Sequence, residues 1–217
     1  SEPMKTYAQE HFVEPSTLFN SGARQREMVT YSDLSAFRNC RRKYYWRSVR
    51  GLVQAARETD ALWFGDIFHK ALEAWHRNRF DEEGFRDGCL PINMAFPSPS
   101  DDMVRPDWCK LTAMLSAYSV AYPHGQEDFE VVALEQEFRA EIHNPATAAK
   151  SRSFILGGKV DGIVRRADGL WLLEHKTASE TAVNRNYIDR LTLDFQVQIY
   201  TAVISRLLEE PVQGVIY

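Results

Sequence analysis

Residues 154–176 read FILGGKVDGIVRRADGLWLLEHK, and this stretch decides the fold. Asp168-Gly169 is a two-residue hairpin signal between apolar runs, predicting antiparallel strands over 154–166 and 170–176. With those two residues as the turn, Asp161 faces Lys176 and Ile163 faces Glu174. Side chains alternate along a strand, and cross-strand partners share a face. Asp161, Glu174 and Lys176 therefore fall on one face. His175 points to the other, with its backbone carbonyl between Glu174 and Lys176. A bulge at the turn would change this register.

Two carboxylates and a carbonyl oxygen form a hard donor set suited to Mg²⁺ or Mn²⁺. Such an ion lowers the pKa of bound water and neutralises charge developing on a phosphoryl oxygen. A lysine beside it can orient the water or stabilise the transition-state anion. The same spacing also fits a cross-strand salt-bridge cluster on a solvated face. Leu170-Trp171-Leu172-Leu173 reads as buried on both faces, and a charged triplet ending a buried strand favours a site.

Working outward, the 63–78 stretch is helical: Phe64, Ile67, Phe68, Ala71, Leu72 and Trp75 keep helical spacing. Asp66, His69, Glu73 and His76 form a separate stripe, which fits a solvated face. His69 sits beside Phe68 and near Leu72, so it is also a candidate nitrogen ligand. A further helix over about 107–121 carries Trp108, Leu111, Leu115 and Tyr118 on one side. After Pro123-His124-Gly125 the period changes to two, with Val132, Leu134, Phe138, Ala140 and Ile142 in one parity. A last helix over about 190–209 places Gln196 and Tyr200 one turn apart. These suit a pair lining a site, or a capping or core-edge pair. Val215-Ile216-Tyr217 reads as the start of another strand, so further sequence is expected beyond it. Residues 1–28 read as an arm or leader, and 81–106 as a loop-rich insertion.

The 217 residues are 44% hydrophobic and 26% charged, which excludes a disordered or fibrous chain. No apolar run approaches the roughly 18 residues of a membrane span, and no secretory signal is visible. Cys40, Cys89 and Cys109 form no CxxC pair, which fits a reduced, cytoplasmic setting. A net charge of −4 excludes a bulk polycation. Nucleic-acid contact would need a local patch, and residues 41–50 supply one. They follow the start of a first helix, from Ser32 to about Val49, and hold Arg41, Arg42, Lys43, Arg47 and Arg50 with Tyr44, Tyr45 and Trp46. Cations offset phosphate charge and aromatics stack on unpaired bases. An amphipathic helix with core aromatics and solvated arginines has the same composition.

In chain order, Ser32–Arg42, Gly65–His69, Gly158–Gly162, Glu174–Lys176 and Gln196–Tyr200 resemble the PD-(D/E)XK nuclease superfamily, and within it the RecB-like exonucleases. The resemblance spans about residues 31 to 217. It implies an α/β fold: a central mixed sheet flanked by helices, the restriction-endonuclease-like core, with a helical N-terminal portion. It also implies that Asp161, Glu174 and the His175 carbonyl hold Mg²⁺ or Mn²⁺, that His69 adds a nitrogen ligand, and that Lys176 is catalytic. Gln196 and Tyr200 would hold the substrate strand. The nuclease domain would occupy 29–217 and act on DNA, single-stranded or at duplex ends, with little sequence preference. Similar domains serve recombination, repair and helicase complexes, so such a partner is expected, as is the rival role of a weakly active binding module. Some relatives hold an iron–sulfur cluster by one early and three late cysteines. Cys40 matches the early one, but no cysteine follows Cys109, so this chain alone does not support a cluster.

Overall fold

The computed structural model describes residues 26–52, 60–78, 81–96, 106–124, 126–178 and 183–217. Residues 1–25 of the expected arm lie outside these, but its end does not. Strand β1 (Glu27–Val29) pairs into the sheet. Helix α1 (Tyr31–Asn39) starts at a capping box. Thr30 Oγ1 accepts from the Asp33 amide at 3.3 Å, and the Asp33 carboxylate accepts from the Thr30 amide at 3.0 Å. The single helix expected as far as Val49 is interrupted. Cys40 is extended (φ −159°, ψ 104°), ends α1 and caps α2 (Arg41–Tyr44). A π-turn over Tyr45–Val49 follows. A wider turn changes the helical phase, which leaves Tyr44 half-buried and Tyr45 and Trp46 exposed.

Helices α3 (Asp60–Arg77), α4 (Asp81–Ala95) and α5 (Pro106–Ala121) form one layer. Ile67, Phe68, Ala71, Leu72 and Trp75 of α3 pack with Ile92 and Phe96 and with Leu111 and Leu115 of α5. The loop reading of 81–106 is therefore corrected over its first half, while residues 97–105 lie outside the described ones. Its glycines are packing positions, not turns. A Cβ at Gly88 would lie 2.9 Å from the Leu115 side chain and 3.0 Å from the Ala71 carbonyl. Pro91 inside α4 costs about 3 kcal/mol in a helix interior. Burial of Ile92 and Phe96 opposes that at about 1.5–3 kcal/mol each.

Strands β2 (Glu130–His143), β3 (Lys150–Arg166), β4 (Gly169–Leu173) and β5 (Val212–Ile216) complete a mixed sheet centred on β3. One edge of β3 runs antiparallel to β2. The other edge is shared: β1 pairs in parallel at Phe154–Leu156, and β4 pairs antiparallel at Gly162–Arg166. Strand β5 lies parallel to β4. Between them the chain forms α6 (Arg185–Leu191) and α7 (Phe195–Leu207), where one helix over 190–209 was expected. Asp194 separates the two, its Oδ1 accepting from the Gln196 amide at 2.8 Å. Tyr200 and Ile204 of α7 pack on Phe138, Leu156, Val160, Ile163 and Leu172 of the sheet. The expected α/β architecture, a mixed sheet flanked by helices, is what forms. Among the described residues no helix is long and apolar enough to cross a membrane.

The β3–β4 turn differs from expectation by one residue. Ala167 and Asp168 form it, and Gly169, at φ 130°, already pairs with Arg166. That φ suits glycine alone. The ladder Gly162↔Leu173 then sets Asp161 opposite Glu174 rather than Lys176. Moving a turn by one residue moves the pairing by two, so each side chain keeps its predicted face.

Candidate metal centre

Between its pairings with β1 and β4, residues 157–161 of β3 meet no strand on that edge among the described residues. Asp161 lies at the end of this gap. Beyond Leu173 the chain leaves β3: the Glu174 amide bonds the Ile216 carbonyl of β5 at 2.9 Å. The next donor, the His175 amide, goes to Asp161 Oδ2 at 2.8 Å. This side-chain bond replaces the next backbone rung and brings the Glu174–Lys176 segment against Asp161. Lys176 Nζ donates to Glu174 Oε1.

The stripe Asp66–His69–Glu73–His76 on α3 divides. Asp66 pairs with Lys70 and Glu73 with Arg77, as solvated residues do. His69 turns inward, with Nδ1 3.3 Å from Asp161 Oδ2. His76 is buried against Tyr118 of α5, at 2.9 Å from Nε2 to the hydroxyl. His175 also lies on this side, with Nε2 3.4 Å from the Tyr118 hydroxyl. Its Nδ1 is 3.9 Å from Asp161 Oδ2, so the ring leaves the Glu174–Lys176 face without leaving Asp161.

One acidic residue was not legible in the sequence. Glu135 of β2 joins His69 and Asp161, and one donor atom of each lies within 4.8 Å of the others. Among the described residues this is the group of acids, histidines and cysteines that could share an ion. Glu135 has φ 48°, which costs a non-glycine residue about 1–2 kcal/mol. The buried side also changes parity here, from Phe138 to Ala133 on β2 and from Val160 to Ile163 on β3. Glu135 is otherwise one of several glutamates in β2. Regular counting from His143↔Lys150 would set it across from Gly158, and irregular pairing near residue 142 moves it to Asp161. Lys159 pairs with its carboxylate.

The electrostatics follow from this crowding. Burial works to raise the Asp161 pKa, but the His69 hydrogen bond and charge and the His175 amide outweigh it and hold it low. Burial and the Asp161 charge push Glu174 up, against the pull of Lys176. For Lys176 burial works downward, and Glu174 and the more distant Asp194 and Asp161 raise the net value. The Asp161 hydrogen bond raises His69 against its burial. Burial lowers His175 to about 4 and His76 to about 3. Repulsion between buried carboxylates is what a divalent cation relieves, and the donors are the oxygens and imidazole such ions take. The residues present fit a metal.

Gln196 and Tyr200 lie together on α7. The Gln196 side chain and the Lys159 amide hydrogen-bond the Tyr200 hydroxyl, and Glu174 and Lys176 are close enough to act on it electrostatically. Arg41, Arg42 and Lys43 are exposed on α2. Cys40 is exposed; its Sγ accepts from the Lys43 amide at 3.4 Å and belongs to no metal-holding group among the described residues.

An aspartate at the open edge of the central strand, followed by Glu-x-Lys, is the arrangement that the resemblance in the sequence implies. A sequence model of the PD-(D/E)XK nuclease superfamily matches residues 28–217, and the chain belongs to that superfamily. Comparison with curated proteins gave no match.

Proposed function

We propose that this protein is a divalent-metal-dependent deoxyribonuclease of the RecB-like kind, removing nucleotides from DNA ends with little sequence preference. The observation that carries this reading is His69 on Asp161 at the open edge of β3, with the bonded Glu174–Lys176 pair near enough for Glu174 to feel both charges. Glu174 itself stands outside the group of donors that could already share an ion. Asp161, Glu174, Glu135, His69 and the His175 carbonyl would hold Mg²⁺ or Mn²⁺. When bound, such an ion polarises a phosphoryl oxygen and makes water nucleophilic near neutral pH.

The protein's own groups have distinct tasks in this reading. Lys176, held cationic by Glu174, faces the charge that develops on the scissile phosphate. The His175 amide fixes Asp161 Oδ2, so the carboxylate is oriented before substrate arrives. Gln196 and Tyr200 present hydrogen-bonding groups to the strand beside Glu174. Arg41, Arg42 and Lys43 track phosphates, which carry no sequence information.

The test is incubation of end-labelled linear DNA and closed circles with Mg²⁺, Mn²⁺ or EDTA. Metal-dependent loss of linear DNA, with circles spared, is expected. Cleavage of circles would replace the exonuclease reading with an endonuclease one, and cleavage in EDTA would end the metal-dependent reading.

A further inference from the structure

A groove of about 410 Å³ separates α1 from the α6–α7 corner. Tyr31 and Arg38 line one wall; Tyr187, Arg190, Leu193 and Phe195 line the other. Phe195 is 50% exposed and Leu193 74% exposed, so apolar surface faces solvent between two arginines. Among the described residues neither Arg38 nor Arg190 makes an ion pair. The Arg38 guanidinium lies 5.2 Å from the Phe195 ring centre and so spans the groove. The arrangement continues along the N-terminal helices. Arg41 lies 5.3 Å over the ring of Phe37, itself 46% exposed, and the exposed Tyr45 and Trp46 follow.

We propose that this groove carries an unpaired nucleic-acid strand, and that single-stranded ends are the substrate class delivered to Lys176. The proposal rests on the nuclease reading for its destination, but not for the binding itself. Guanidinium groups offset phosphate charge, while exposed rings give unpaired bases a stacking surface. A duplex keeps its bases stacked inside and would leave these rings and Leu193 against water or phosphate. Duplex binding rests on cations and gains nothing from exposed rings, and here each of two guanidiniums lies over such a ring. Among the described residues one acid lines the groove, Asp194. Its Oδ1 caps α7, so the groove ends at the start of the helix that carries Gln196 and Tyr200.

Fluorescence anisotropy in EDTA tests the groove without cleavage, using labelled oligothymidylate of about 12 nucleotides and a blunt duplex of equal length. The wild type is expected to bind the single strand more tightly. Phe195→Ala should weaken that binding about tenfold, Phe195→Trp should restore it, and Arg38→Ser with Arg190→Ser should weaken it and reduce its salt dependence. Phe195 is half exposed at the start of its helix, and the tryptophan variant separates loss of a ring from loss of fold. Preference for the duplex would overturn the proposal, as would wild-type affinity in folded Phe195→Ala and double-arginine variants. A protein that binds the oligothymidylate through Phe195 yet cleaves no DNA upholds the groove and refutes the nuclease reading. Metal-dependent cleavage unchanged by the groove variants does the reverse.

Discussion

Glu135 and Asp161 stand opposite each other across β2 and β3, held between the pairs Leu134↔Gly162 and Gln136↔Val160. Their carboxylates and His69 come close enough to share one ion. The left-handed backbone of Glu135 is strain held at the point where this second acid is needed. Glu135→Gln is expected to keep the fold and lower Mn²⁺ affinity roughly 10–100-fold, as loss of metal-site partners does. Titration calorimetry with Mn²⁺ checks it, and unchanged affinity would leave Glu135 as the partner of Lys159 alone.

Lys176→Ala should reduce cleavage by about 10²–10³-fold, the cost of losing a group that stabilises a developing anion. DNA affinity should hold, because the lysine is engaged with Glu174 in the ground state. Single-turnover rates beside binding isotherms separate the two effects. A rate within a few-fold of wild type removes the catalytic role.

Replacing Arg41, Arg42 and Lys43 together by Ser should flatten the dependence of log affinity on log salt by roughly two to three units. The three are exposed, and none makes an ion pair among the described residues, so folding should persist. Circular dichroism is the control. A folded variant with the wild-type slope would make this patch a solvated face.

His76 titrates at about 3 in the folded chain, below the ordinary histidine value, because it is buried. Its contribution to stability is thus full above about pH 6.5 and is lost as pH falls toward the folded value. Between about pH 6.5 and 5 this one group removes up to about 2 kcal/mol. His76→Gln can still bond Tyr118 but does not titrate, so its urea midpoint should fall less over that range. Equal acid sensitivity in both proteins would show that His76 is not the group responsible.

Local pattern revealed much of this site and long-range pairing the rest. The alternation in residues 154–176 placed Asp161, Glu174 and Lys176 on one face even though the turn lies a residue earlier, because a shift of two preserves parity. His69 stood out by its apolar neighbours on α3. Glu135 did not stand out, since irregular pairing in β2 hides which β3 residue it faces. The α4 helix is hidden in the sequence because Gly84, Gly88 and Pro91 look like breakers. Two of them admit neighbouring helices closely, and tertiary packing overrides the third. The break at Cys40 had no local signal beyond the crowding of aromatics after it.

The most direct test of a metal-dependent nuclease centred on Asp161 is release of acid-soluble nucleotide from linear DNA as Mn²⁺ is titrated, for the wild type beside Asp161→Asn. The account predicts saturable, metal-dependent release by the wild type and none above the EDTA baseline for the variant. Release that ignores the metal, or that Asp161→Asn matches, would contradict it.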